Sequence, residues 1–83
     1  MEFSVFDEVQ KRCAQIAGEY SPFHSTYEGY ATLLGEVREL EREVFEQPQS
    51  WSISKVRESS IRVAVMATKL VLDCCSGEEI LPY

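Results

Sequence analysis

Three glutamates at steps of three and four, Glu36, Glu39 and Glu43, are the residues of this chain best spaced to do chemistry. On a helix that spacing puts them within about 60° of one another around the axis. They lie beside the apolar positions Leu33 and Leu40 rather than opposite them, on the edge of a packing face. Carboxylates crowded on such an edge repel one another unless something positive sits between them. Two kinds of charge meet that need. One is a magnesium ion held by one or two carboxylates and several waters; the other is an Arg or Lys from a neighbouring helix. Arg38 and Arg42 also supply intrahelical partners, so the spacing alone reads most simply as an ion-paired, solvated face.

Other chemistries find less to build on. His24 is the only histidine and reads as a surface residue, with neither a second His nor a cysteine near it to make a triad or a metal site. The three cysteines, Cys13, Cys74 and Cys75, are odd in number and two are adjacent. Neighbours on a helix point about 100° apart and do not bridge easily. They are expected to be reduced thiols, packed as small apolar residues in a cytoplasmic protein. There is no Cys/His ligand spacing for zinc, no glycine-rich phosphate loop and no Ser-His-Asp motif. The aromatics Tyr20, Phe23, Tyr27 and Tyr30 gather around the first chain break. Tyr27 and Tyr30 are candidates for stacking on a nucleobase, although small domains also use such residues to plug the end of a bundle.

These residues must be held by a small frame. The chain has 83 residues, 45% of them hydrophobic, which is room for one domain spanning 1–83. A domain of this size buries only about 60–65% of its unfolded surface, so a partner chain is a common remedy. The formal charge is −6, from 14 acidic and 8 basic residues. The basic residues are scattered and outnumbered, which argues against a nucleic-acid polymer as partner. The longest apolar stretch, Ile61 to Leu72, is broken by Arg62, Thr68 and Lys69 and is too short to span a bilayer. The first ten residues lack an apolar core, so no signal peptide is expected.

Two breaks, at Tyr20-Ser21-Pro22 and Gln47-Pro48-Gln49-Ser50, divide the chain into three helical segments, with no strand pattern anywhere. The first helix is expected from Val5 to Glu19, with Ser4 as N-cap and Asp7 in the capping-box position. The second is expected from Thr26 to Glu46, opened by Ser25 with Glu28, and seamed by Tyr30, Leu33, Val37, Leu40 and Val44. The third begins near Ser52 or Ser54, runs to about Cys75 and stops at Gly77. Trp51 is expected to anchor the linker, and Ile80 and Leu81 to rest on the bundle. On the third helix Ile53, Val56, Ser60, Val63, Ala64, Ala67, Leu70, Val71 and Cys74 share one side, with Ile61, Val65 and Leu72 on a second. Only Lys55, Glu58, Arg62, Lys69 and Asp73 form a thin polar strip. A helix apolar nearly all round is covered on several sides, and two short helices can hardly do it. The expected architecture is an all-α, three-helix antiparallel bundle completed by homodimerisation.

The segment Tyr30-Ala31-Thr32-Leu33-Leu34-Gly35-Glu36-Val37-Arg38-Glu39-Leu40 resembles the second helix of the MazG-like all-α nucleoside triphosphate pyrophosphohydrolases. The resemblance spans about Tyr27 to Asp73 and rests on short motifs. It implies a helical chain that dimerises or forms tetramers. It also implies Mg²⁺ bound by Glu-x-x-Glu on one helix and Glu-x-x-Asp on the next, and a nucleotide cleaved between its α- and β-phosphates. Glu36 and Glu39 match the first motif residue by residue. The second motif falls at Arg57 to Ala67 and departs from the family. One alignment places Ser59 and Arg62 at the metal-binding Glu and Asp, and the other makes Glu58 a ligand but leaves Ile61 at the Asp position.

Three readings follow. In the first, the chain is a Mg²⁺-dependent pyrophosphohydrolase acting on a small nucleotide. Its catalytic residues are Glu36, Glu39 and Glu58, and its metal ligands Glu36, Glu39, Glu43 and Glu58, contributed across a dimer. In the second it is a metal-free relative, with Arg62 and Lys69 of the polar strip facing the glutamates and Arg62 standing in for the metal. In the third it is an unrelated helical adaptor that binds another protein through its third helix.

Overall fold

A computed structural model describes residues 4–45 and 53–75. They form three helices: α1 (Val5–Glu19), α2 (Thr26–Phe45) and α3 (Ile53–Leu70), the last continued by a π-helical turn (Val71–Cys75). The described residues contain no strand. The all-α bundle expected from the sequence is what the chain adopts. The expected positions of Glu46, Pro48, Trp51, Gly77, Ile80 and Leu81 lie outside the described residues.

Local signals start the first two helices. Ser4, in extended conformation, accepts a hydrogen bond at Oγ from the Asp7 N–H, 3.1 Å away. That satisfies one of the amide donors that a helix start leaves without an intrahelical partner. Ser25 does the same for Glu28, also at 3.1 Å, and the Glu28 carboxylate reaches back to accept from the His24 N–H at 2.6 Å. This is a capping box displaced by one residue at its returning arm.

The helices run up, down and up. Glu8 pairs with Arg57, Arg12 with Glu58, and the Cys13 thiol faces the Val65 carbonyl, so α1 and α3 advance in the same direction. Gly29 meets Leu70 and Glu36 meets Arg62, so α2 runs the opposite way. Both α1 and α2 pack on α3 rather than on each other, α2 along much the longer contact.

Which side of α3 is covered differs from the expectation. Among the described residues the buried apolar side chains are Ile61 and Val65, at 4% and 2% exposure. Ser59 and Lys69 are buried with them. The stripe expected to be the most covered is instead partly open. Ile53 and Val71 are 64% and 53% exposed, Ser60 is exposed, and Val56, Val63, Ala64, Ala67, Leu70 and Cys74 are half-buried. Periodicity cannot choose a side on a helix that is apolar nearly all round. Here α1 lies over the Ile61–Val65 side, where Arg12 pairs with Glu58.

The α2 seam is rotated in the same way. Its half-buried positions include Leu33, Glu36, Leu40 and Glu43, continuing from buried Gly29, while Tyr30, Val37 and Val44 of the expected seam are exposed. Gly29 explains the rotation at one end. A Cβ there would collide with the Leu70 side chain and lie 3.0 Å from Phe23 Cδ2, so the present packing of Leu70 and Phe23 on α2 uses the space that glycine leaves.

Candidate functional site: an ion-paired cleft between the outer helices

Because α1 and α2 do not pack on each other, a cleft of about 830 Å³ opens between them. Its floor is α3, with Val65 and Met66 between Arg62 and Lys69. Ile16 and Tyr20 line it from α1, Phe23 from the connecting segment, and Glu28, Thr32 and Glu36 from α2.

At one end lies a buried lysine. Lys69 Nζ makes an ion pair of 2.5 Å with Asp73, donates to the Ser21 carbonyl at 3.1 Å and sits 4.1 Å from the centre of the Phe23 ring. The same Asp73 oxygen accepts the Phe23 N–H at 3.0 Å. The hydrogen bond from Lys69, helped by that from Phe23, holds the Asp73 carboxyl below its ordinary value. The clasp ties the α1–α2 connection to the C-terminal end of α3. Lys69 was expected on a polar strip facing the glutamates of α2; it is buried, at 8% exposure, and engages Asp73 instead. Its aliphatic stem is covered by packing, and its ammonium finds an anion, a carbonyl and a ring face within reach.

Further along the floor, Arg62 Nε donates to Glu36 Oε1 at 3.1 Å. This joins the charged strip of α3 to the acidic face of α2, as the second of the sequence readings requires. Glu39 and Glu43 are half-buried on the same helix and have no ion pair among the described residues.

Glu58 goes elsewhere. Arg12 grips it with both terminal nitrogens, at 2.7 and 3.0 Å, and also pairs with Glu8 at 2.8 Å; Arg57 reaches Glu8 from the other side at 3.0 Å. The bidentate bond from Arg12 holds the Glu58 carboxyl below its ordinary value. Hydrogen bonds from Arg57 and then Arg12 do the same to Glu8. Nothing in the sequence pointed to Arg12, because its partner is 46 residues away. The Lys69–Asp73 pairing was legible as an i,i+4 pair.

The four acids considered as a magnesium set, Glu36, Glu39, Glu43 and Glu58, are therefore not brought together within the chain. Glu36 is occupied by Arg62 and Glu58 by Arg12. Among the described residues no three His, Cys, Asp or Glu side chains converge in a group that could hold a metal ion. A magnesium site needs carboxylates free to bind it, and the donor set of one chain does not fit.

The aromatic cluster separates as well. Tyr20 and Phe23 line the cleft, whereas Tyr27, 84% exposed, and Tyr30 do not. His24 is exposed, with Nδ1 3.6 Å from Glu28. The three thiols are free; burial raises the pKa of Cys13 and of Cys74. No helix among the described residues is long and apolar enough to cross a membrane. No family model, curated protein sequence or solved structure matches the chain.

Proposed function

We propose that this chain is a metal-free, non-hydrolytic helical module built on a MazG-like plan, working in the cytoplasm as a homodimer that binds rather than converts its partner. In this reading Arg62 supplies Glu36 with the positive charge that magnesium would otherwise supply. The observation that carries it is the 3.1 Å bond between Arg62 Nε and Glu36 Oε1, in a chain where Glu58 is committed to Arg12. A guanidinium neutralises a carboxylate permanently but cannot polarise water or bridge phosphate oxygens as a metal ion does. The free thiols Cys13, Cys74 and Cys75 support a reducing compartment.

The competing reading keeps the hydrolase. Half-buried Glu39 and Glu43, without an ion pair among the described residues, favour it, because a cation from outside would serve them. Glu36, Glu39, Glu43 and Glu58 would then be ligands shared across a dimer, for Mg²⁺-dependent conversion of a nucleoside triphosphate to a monophosphate and pyrophosphate. A pyrophosphate-release assay with the standard nucleoside triphosphates and either Mg²⁺ or Mn²⁺ separates the two. The module releases none above the rate of the uncatalysed control. Release that disappears in Glu39→Gln would establish the enzyme.

A further inference from the structure

We propose that the cleft between α1 and α2 seats about two turns of a basic amphipathic helix supplied by another protein. This rests on the reading above that the chain binds rather than converts its partner, and it adds the partner's chemistry and its seat.

The shape of the seat comes from the packing. Because α1 and α2 lie on α3 and not on each other, the position between them is open. Ile16, Phe23 and Met66 are half-buried along it, and Tyr20 is exposed. The wall from Glu28 to Glu36 on α2 is about 12 Å long at 1.5 Å per residue. A volume of about 830 Å³ over that length gives a mean cross-section of about 70 Å². A helix about 10 Å across has a section of about 80 Å², so the cleft matches a helix in width. An extended segment is narrower along one axis, with neighbouring strands about 4.8 Å apart, and would leave part of the cleft empty. Apolar residues at steps of three and four on the occupant would meet Ile16, Phe23 and Met66.

Charge decides between a basic and an acidic occupant. Each Arg and Lys lining the cleft is already answered within the chain: Arg12 by Glu8 and Glu58, Arg62 by Glu36, and Lys69 by Asp73. A phosphate or carboxylate ligand would have to break one of those pairs. The acids are not all answered. Glu19 has no ion pair among the described residues, and Glu28 has only the His24 ring, 3.6 Å away. Glu19 also closes α1, whose last turn carries no basic residue, so its charge adds to the negative end of the helix dipole. At about 100° per residue, Glu39 and Glu43 continue the side of α2 that carries Glu28 and Glu36. Both are half-buried and without an ion pair among the described residues. Lys or Arg flanking the apolar stripe of the occupant would answer Glu19 on one wall and Glu28, Glu39 and Glu43 along the other. The formal charge of −6 favours encounter with such a partner.

The probe is a fluorescent peptide of about 16 residues, capped at both ends, with leucines at steps of three and four and lysines on their flanks. Anisotropy with the full chain should give a Kd of about 100 μM or tighter that weakens with added salt. Thr32→Arg, at the exposed middle of the α2 wall, and Glu19→Lys should each weaken binding by about 10-fold or more. Glu19→Lys should do so with a Tm equal to or above that of the wild type, because it places a cation at the end of α1. Glu41→Lys makes the same change of net charge on the exposed far side of α2 and should leave the affinity within about 2-fold. A peptide with glutamates in place of the lysines should not bind. No binding of the lysine peptide, as when a second copy or another segment of this chain holds the cleft, would overturn the proposal. So would binding of the glutamate peptide, or Glu19→Lys and Glu41→Lys behaving alike, which would mark attraction to net charge alone. No arm reads pyrophosphate or metal, so failure here leaves the metal-free reading to its own test.

Discussion

Lys69 engages an anion, a carbonyl and a ring face, and the consequences of removing it follow from its burial. Lys69→Met keeps the stem and deletes the ammonium, which leaves the Ser21 carbonyl without this donor and the Asp73 carboxylate with the Phe23 N–H but no counter-charge from Lys69. Stranding a partly buried acceptor costs about 1–3 kcal/mol, and each kcal/mol lowers Tm by roughly 4–8 °C in a domain of this size. A thermal melt unchanged within 2 °C would show that the clasp is ornamental. The carboxyls of Asp73, Glu58 and Glu8 share a second consequence. Each has a folded-state pKa lowered by its cationic partners. Each therefore contributes stability above its unfolded pKa and loses it as pH falls through the folded one. Denaturant midpoints should be level from pH 7 to 5 and fall below about pH 4. A decline beginning near pH 6 would point instead to a histidine.

Two glycines of α2 separate what close packing requires from what a helix merely tolerates. Gly29 is buried against Leu70 and Phe23, so Gly29→Ala must displace the Leu70 side chain from its present position and should destabilise by about 1–3 kcal/mol despite the better helix former. Gly35 has nothing within 4 Å of where a Cβ would sit. Gly35→Ala should therefore stabilise by about 0.5–1 kcal/mol. Urea denaturation of the two variants checks both signs at once. At this scale the sequence was legible where signals are local. Ser4 and Ser25 announce their helices, and α1 occupies the span that its stripe defines. Rotation about each helix axis was not legible. Tyr30, Val37 and Val44 satisfy a 3–4 seam as well as Leu33 and Leu40 do, and the choice between them depends on Gly29 and on Arg62–Glu36. The contact of Glu36 with Arg62 followed from matching polar interruptions beside apolar seams. The capture of Glu58 by Arg12 depends on where α1 lands, which no spacing within α3 records.

For the molecule as a whole, the described residues bury little apolar volume and leave Tyr30, Val37 and Val44 of α2 and Ile53 and Val71 of α3 exposed. The homodimer proposed above should melt at a temperature that depends on its concentration, because dilution favours separated chains. Tenfold dilution should lower Tm by a few degrees, and a Tm independent of concentration would indicate a self-sufficient monomer. The charge pattern of the cleft also belongs to this scale: Arg12, Arg62 and Lys69 each answer an acid within the same chain. Their neutralisation requires no ion from solution, which is the basis of the metal-free reading proposed above. The most direct measurement is a calorimetric titration of Mn²⁺ into the wild-type protein and into Glu36→Gln at neutral pH. The expected result is no heat of binding in the micromolar range for either. Micromolar binding by the wild type that vanishes in Glu36→Gln would contradict the exchange of metal for Arg62.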